Sequence, residues 1–140
     1  MSVLKANRQP GKLQVVVKAR EVAVYTTQIL NNEKCFPKRS RWIIAQSIAD
    51  EAVGVLACCR RANAVSVQYD SDYKYRRRQQ IQAYSMCEAL LTKIEIAHGL
   101  YGIETRRIEH WVGLIVETET LLRKWILSDE KRYKDVKSDS

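Results

Sequence analysis

Apolar residues recur at intervals of seven through most of this chain, and almost nothing interrupts them. Ala45, Ala52 and Cys59 form one such line, and Ile48, Val55 and Ala62 form another. Ile108, Ile115 and Leu122 run beside Trp111, Thr118 and Trp125, while Val15, Val22 and Ile29 mark the N-terminal third. Seven residues are close to two helical turns, so each line stays on one side of a helix. Five Gly and two Pro in 140 residues leave few places where a helix must stop.

Those stops divide the chain into four helices. The first spans about 12–31, after Pro10-Gly11, with Leu13, Val16, Val17, Ala23, Ile29 and Leu30 among its apolar residues. Val15-Val16-Val17 also suits a strand, but Lys18-Ala19-Arg20-Glu21 continues with good helix formers. Residues 31–37 read as a turn, because Pro37 disfavours helical geometry just before it. The second helix covers 38–64, and small residues on its lines allow close approach of a neighbour. A connection over 65–72 offers Asp70 or Ser71 as N-cap of the third helix, 72–98. There Tyr84, Leu91 and His98 are seven apart, as are Cys87 and Ile94. Gly99 or Gly102 ends it. The fourth helix covers 105–127.

Short links between long amphipathic helices predict an all-α, up-down-up-down four-helix bundle over 12–127. Residues 1–11 read as a flexible lead, and 128–140 as a charged tail expected to fray. The first and last helices carry apolar residues on more than one face, which points to a homo-oligomer. The alternative is that Val15, Val24 and Ile126 are scattered surface apolars, a normal occurrence.

The net charge is +8 and the isoelectric point about 9.5. This balance favours nucleic acid or another acidic surface as partner. An antiparallel bundle gathers Lys12, Arg60, Arg61, Lys74, Arg76, Arg77, Arg78, Arg123 and Lys124 at one end, with Lys131, Arg132 and Lys134 from the tail. The opposite end has Lys34, Lys38, Arg39, Arg41, Arg106 and Arg107. Tyr73-Lys-Tyr-Arg-Arg-Arg78 stands out because it opens a helix. A helix start already carries partial positive charge, so four cations there oppose the dipole. Arg76 and Arg77 point near the interhelical grooves beside Tyr73, and at least one leaves the solvated face. Arginine grips phosphate in a bidentate fork, and tyrosine stacks on an exposed base. Pairing with Asp70, Asp72, Glu88 or a partner's carboxylates is the competing account. The candidate binding residues are Arg60, Arg61, Lys74, Arg76, Arg77 and Arg78, with Arg39, Arg41, Arg106 and Arg107 at the other end. No helix-turn-helix is recognisable, so binding would be to backbone or to RNA shape.

Catalytic signatures are scarce. Glu95-Ile-Ala-His98 matches one half of a di-iron motif, but Arg107 stands three before His110, where the second half needs Glu. No phosphate-binding Gly-rich loop or nucleophile elbow occurs. Glu88, Glu95, Glu117 and Glu119 read as helix-face acids pairing with Lys93, Arg123 and their neighbours. The chain is therefore expected to be no enzyme and to need no cofactor. Cys35, Cys58, Cys59 and Cys87 lack metal or redox spacing and read as reduced thiols of a cytoplasmic protein. The N-terminus lacks the apolar run of a signal peptide, and no uncharged apolar stretch reaches membrane-spanning length.

Four segments carry a resemblance: Gly11-Lys-Leu-Gln-Val-Val-Val-Lys-Ala-Arg-Glu21, Phe36-Pro-Lys-Arg-Ser-Arg-Trp42, Asp72-Tyr-Lys-Tyr-Arg-Arg-Arg78 and Arg106-Arg-Ile-Glu-His-Trp111. Over roughly residues 11–134 the chain resembles the Avd-like four-helix-bundle family. Avd is the accessory variability determinant of diversity-generating retroelements, and ribosomal RNA intervening-sequence bundle proteins are related to it. The resemblance implies a homopentameric barrel and no catalytic centre. It implies a basic surface that binds the retroelement's reverse transcriptase and nucleic acid, chiefly template RNA with DNA as a second candidate. The individual binding residues come from the charge argument alone. The competing reading is an oligomeric protein-interaction scaffold without nucleic-acid binding.

Overall fold

The computed structural model describes residues 10–138, and for 10–13, 40 and 41 it describes backbone alone. Four helices dominate: α1 Pro10–Leu30, α2 Gln46–Ala64, α3 Asp70–Tyr101 and α4 Thr105–Arg132. A 3-10 turn, Lys38–Ser40, and a π-helical turn, Arg41–Ala45, lead into α2. Both α1 and α3 pack against α2 and α4, which closes a four-helix bundle. Among the described residues there is no strand, only an isolated bridge between Tyr69 and Lys137.

Burial follows the seven-residue lines. Val15, Val22 and Ile29 face the core, as do both lines of α2 from Ala45 to Ala62. On α4, Ile115, Leu122, Trp111, Thr118 and Trp125 are buried. The Trp111 indole N–H donates to Thr26 Oγ1 at 2.9 Å, so this large side chain is buried with its one polar atom satisfied. Val15 is therefore core, whereas Val24 stays 41% exposed. Gly54 lets α2 and α3 approach closely, since a Cβ there would lie 2.6 Å from Met86 Sδ.

On the third helix the expected Cys87 and Ile94 line is buried, whereas the line expected through Tyr84, Leu91 and His98 is displaced by one position. Its buried lines are Arg76, Ala83, Leu90 and Ala97, and Gln80, Cys87 and Ile94. Tyr84 and Leu91 only border the core, and His98 is exposed. The α3 cap also differs. Tyr69 is the N-cap, and Asp72 Oδ2 accepts the backbone N–H groups of Gln68 and Tyr69 at 3.0 Å each. Gly102 ends the helix in left-handed geometry, φ 58°, which glycine adopts without steric cost.

The expected frayed tail is a correction. The last helix continues past Leu127 to Arg132, and Asp129 is 1% exposed. Beyond it, the Asp70 N–H donates to the Lys137 carbonyl at 2.8 Å. The tail is held because Asp129 has a buried partner, described below. The expectation that no uncharged apolar stretch reaches membrane-spanning length stands beside one helix that passes on length and mean hydropathy despite carrying Asp50 and Glu51. Trp42–Ala64 is long and apolar enough by composition. In the fold, its lines through Ile48 and Ala52 turn into the bundle. The expected flexible lead 1–11 falls largely outside the described residues.

Candidate nucleic-acid interface

At the end formed by the starts of α1 and α3 and the ends of α2 and α4, many cations are engaged inside the protein. Arg76 is 1% exposed. Its Nε donates to Asp129 Oδ2 at 2.6 Å and its Nη2 to Asp129 Oδ1 at 3.0 Å, a bidentate fork. Gln80 Nε2 adds a third bond to Asp129 Oδ2 at 2.8 Å. The Trp125 and Tyr133 rings lie 5.2 and 5.6 Å from the guanidinium. Arg76 is thus a structural ion-pair partner and is removed from the binding set. The expectation that at least one of Arg76 and Arg77 leaves the solvated face holds for Arg76.

Its neighbours are partly engaged. Arg77 donates to Tyr73 Oη at 2.9 Å and pairs with Glu130 at 2.8 Å, with its side chain 38% exposed. Tyr73 packs on Tyr133 at 5.4 Å between ring centroids. Tyr73 is therefore occupied, which corrects its reading as a free stacking platform. Lys74 pairs with Asp70 at 2.9 Å. Arg61 Nε donates to Gln79 Oε1 at 2.9 Å, and Arg123 Nη2 to Tyr84 Oη at 2.8 Å. Arg60, Arg61, Lys74 and Arg78 remain exposed. The Lys12 side chain lies outside the described residues.

The opposite end is plugged by aromatic rings instead. Phe36 is fully buried, 5.4 Å from the Tyr101 ring and 6.2 Å from Trp111. Tyr25 sits edge-on to Trp111 and His110 at 6.3 and 4.7 Å. The cations stay outside this plug. Lys38 pairs with Glu33 at 3.2 Å, while Arg106 and Arg107 share Glu104 at 3.6 and 3.5 Å. These are long contacts between solvated groups, worth well under about 1 kcal/mol each. Lys34 and Arg39 are exposed. The Arg41 side chain lies outside the described residues. The π-helical turn holds Trp42 92% exposed and Ile43 75% exposed. Sequence reasoning passed over Trp42, though its position among Lys38, Arg39 and Arg41 was the available signal.

Glu119 is a second departure. It is 4% exposed and its Oε2 has no hydrogen-bond partner. Burial, then a hydrogen bond and repulsion from Glu88, push its carboxyl up to about 7, against a smaller pull from Arg123. It is therefore a buried acid beside another acid, not a solvated helix-face group. Glu117 does pair with Lys18, at 3.1 Å, whereas Lys93 pairs with Glu51 on α2, at 2.9 Å. All four cysteines are buried and free, and burial pushes the Cys59 thiol up to about 12. Among the described residues no three His, Cys, Asp or Glu side chains are grouped to hold a metal, and Glu95 and His98 are both exposed.

An apolar groove of about 490 Å³ runs between α1 and α4, lined by Val17, Val116 and Leu121 with Gln14, Lys18 and Thr120 at its rim. Val17 and Val116 are 46% and 45% exposed. No protein-family model, curated protein or solved structure matches the chain.

Proposed function

We propose that this chain is a non-catalytic, RNA-binding accessory bundle that serves a reverse transcriptase, in the manner its Avd-like resemblance implies. The observation that carries the reading is the distribution of cations the fold does not consume. Arg60, Arg61, Lys74 and Arg78 at one end, and Lys34, Lys38, Arg39, Arg106 and Arg107 at the other, stand exposed or in weak solvated pairs. Phosphate contacts through such side chains position a nucleic acid without reading its sequence. Arg41 belongs to the same set by sequence. DNA is the secondary ligand, and the four buried thiols suit a reducing cytoplasm.

Titrating the protein into structured RNA and duplex DNA across a salt series tests this. Affinity for RNA that falls steeply with log salt supports it. Negligible affinity for both overturns it in favour of a protein-binding scaffold.

The α1–α4 groove favours a second, compatible reading, self-association, for which the resemblance implies a pentamer. Its half-exposed valines form an apolar seam that a neighbouring copy would cover. Sedimentation of Val17→Asp with Val116→Asp tests it. Loss of the oligomer supports the seam, and an unchanged mass removes it.

A further inference from the structure

The exposed indole of Trp42 has no counterpart elsewhere in the fold. The other two tryptophans, Trp111 and Trp125, are buried. Leaving an aromatic ring of this size in water forfeits the stabilisation that burial would supply. The backbone that presents it is unusual as well. A π-helical turn inserts an extra residue into the helical path, and such turns concentrate at functional sites. Ile44 and Ala45 keep their places in the core, so the surplus is expressed outward at Trp42 and Ile43.

Beside the ring lies an open groove of about 530 Å³. Its floor is apolar, from Leu30 and Ala49. Its rim carries the Asn31 and Gln46 amides and the Lys38 ammonium. Gln46 Nε2 donates to Asp50 at 3.0 Å, and its carbonyl oxygen is the amide's accepting group. An aromatic face, two amides and a cation around one groove match the three parts of a nucleotide: a π-face, a polar edge and a phosphate.

We propose that the groove beside Trp42 seats one unpaired nucleotide of an RNA strand. The base stacks on the Trp42 indole, the Asn31 and Gln46 amides meet its edge, and Lys38 with Arg39 holds the flanking phosphates. The proposal rests on the RNA-binding reading and names its single-strand site. Charge decides among occupants. Lys34, Lys38 and Arg39 outnumber Glu33 and Asp50 here by one, so a second copy of this chain would bring like net charges together. A membrane surface tolerates the cations, but the apolar floor is recessed and its amide rim would be desolvated without partners.

Tryptophan emission during titration with an unstructured oligouridylate tests the site, with duplex RNA titrated in parallel. Quenching on oligouridylate binding is expected, because stacking reaches the one exposed indole. Trp42→Ala should weaken oligouridylate binding about ten- to a hundredfold, while Trp42→Phe retains most of it. The slope of log affinity against log salt should stay unchanged in both variants and fall in Lys38→Gln. Unchanged affinity in Trp42→Ala overturns the proposal. If duplex RNA still binds, the broader reading survives; if no RNA binds, both fall. A loss of oligomer, or of binding to phosphatidylserine vesicles, with RNA affinity intact, also overturns it and assigns Trp42 to a second copy or a bilayer.

Discussion

The two ends of the bundle are closed by different chemistry. One end is sealed by an ion pair, Arg76 with Asp129, completed by Gln80 and flanked by Trp125 and Tyr133. The other is sealed by Phe36, Tyr101, Trp111 and Tyr25. A charged plug draws a cation inside and orders the residues around it. An aromatic plug satisfies the core by itself and leaves every described cation outside. Cation count is therefore a poor guide to binding. The richer end of the sequence has committed part of its charge to structure, and the poorer end keeps its own in water beside an exposed indole.

The largest break in this comparison comes from the ionic plug. Asp129→Ala leaves a buried guanidinium unpaired and should destabilise the fold by about 3–5 kcal/mol, measured by urea unfolding. Arg76→Met combined with Asp129→Leu should recover most of that loss, because a buried pair is replaceable by apolar volume. A double variant as unstable as the single one would show that the plug supplies more than charge balance.

The aromatic plug should fail through volume instead. Phe36→Ala empties a fully buried site and should cost about 3 kcal/mol, with no rescue from any charge change. Thermal melts of both variants in low and high salt separate the buried plugs from the exposed ion pairs around them. Neither buried site should respond strongly to salt, whereas the exposed pairs around them should.

Glu119 sharpens the contrast, as an acid buried next to Glu88 rather than against a dedicated cation. Its folded-state carboxyl is raised to about 7, above the ordinary value near 4.3. The folded state thus holds a proton that the unfolded chain releases. This contribution is fully present below about pH 4.3 and is lost as pH rises through about 7. Urea midpoints should fall between pH 5 and pH 8, by an equivalent of on the order of 2 kcal/mol. Glu119→Gln should flatten that dependence, and a wild-type profile in the variant would reassign it.

The smallest effect concerns binding. Replacing Arg39, Arg106 and Arg107 with Gln should reduce the salt slope of RNA binding by about 2. Arg76→Met with Asp129→Leu should leave the slope unaltered, since Arg76 is buried. An equal loss in both variants would erase the distinction between the ends.

Much of this architecture was legible. The lines through Val15, Ala45, Ile48, Ile115 and Trp111 identify core faces because burial, helix period and residue type agree there. Arg76 and Asp129 were legible in position but not in role. Arg76 lies seven before Ala83, and Asp129 seven after Leu122, so each extends a core line by one heptad. Charge argues for a binding surface, and that argument gave the arginine the wrong role and set the tail outside the bundle. Trp42 shows the reverse, an apolar side chain whose type argues for burial and whose π-helical turn turns it outward.

The sequence by itself determined four helices, their core faces for the most part, and a basic character at both ends. Period and charge are local properties, carried by residues within a few turns of one another. Tertiary structure decided that Arg76 meets Asp129 from 53 residues away, that Glu119 meets Glu88, and that Trp42 stands exposed at the edge of a groove. A helical period states which way a side chain points. Only the packed bundle supplies the group that stands opposite, and for a charged or aromatic side chain that group decides between core, tether and binding surface.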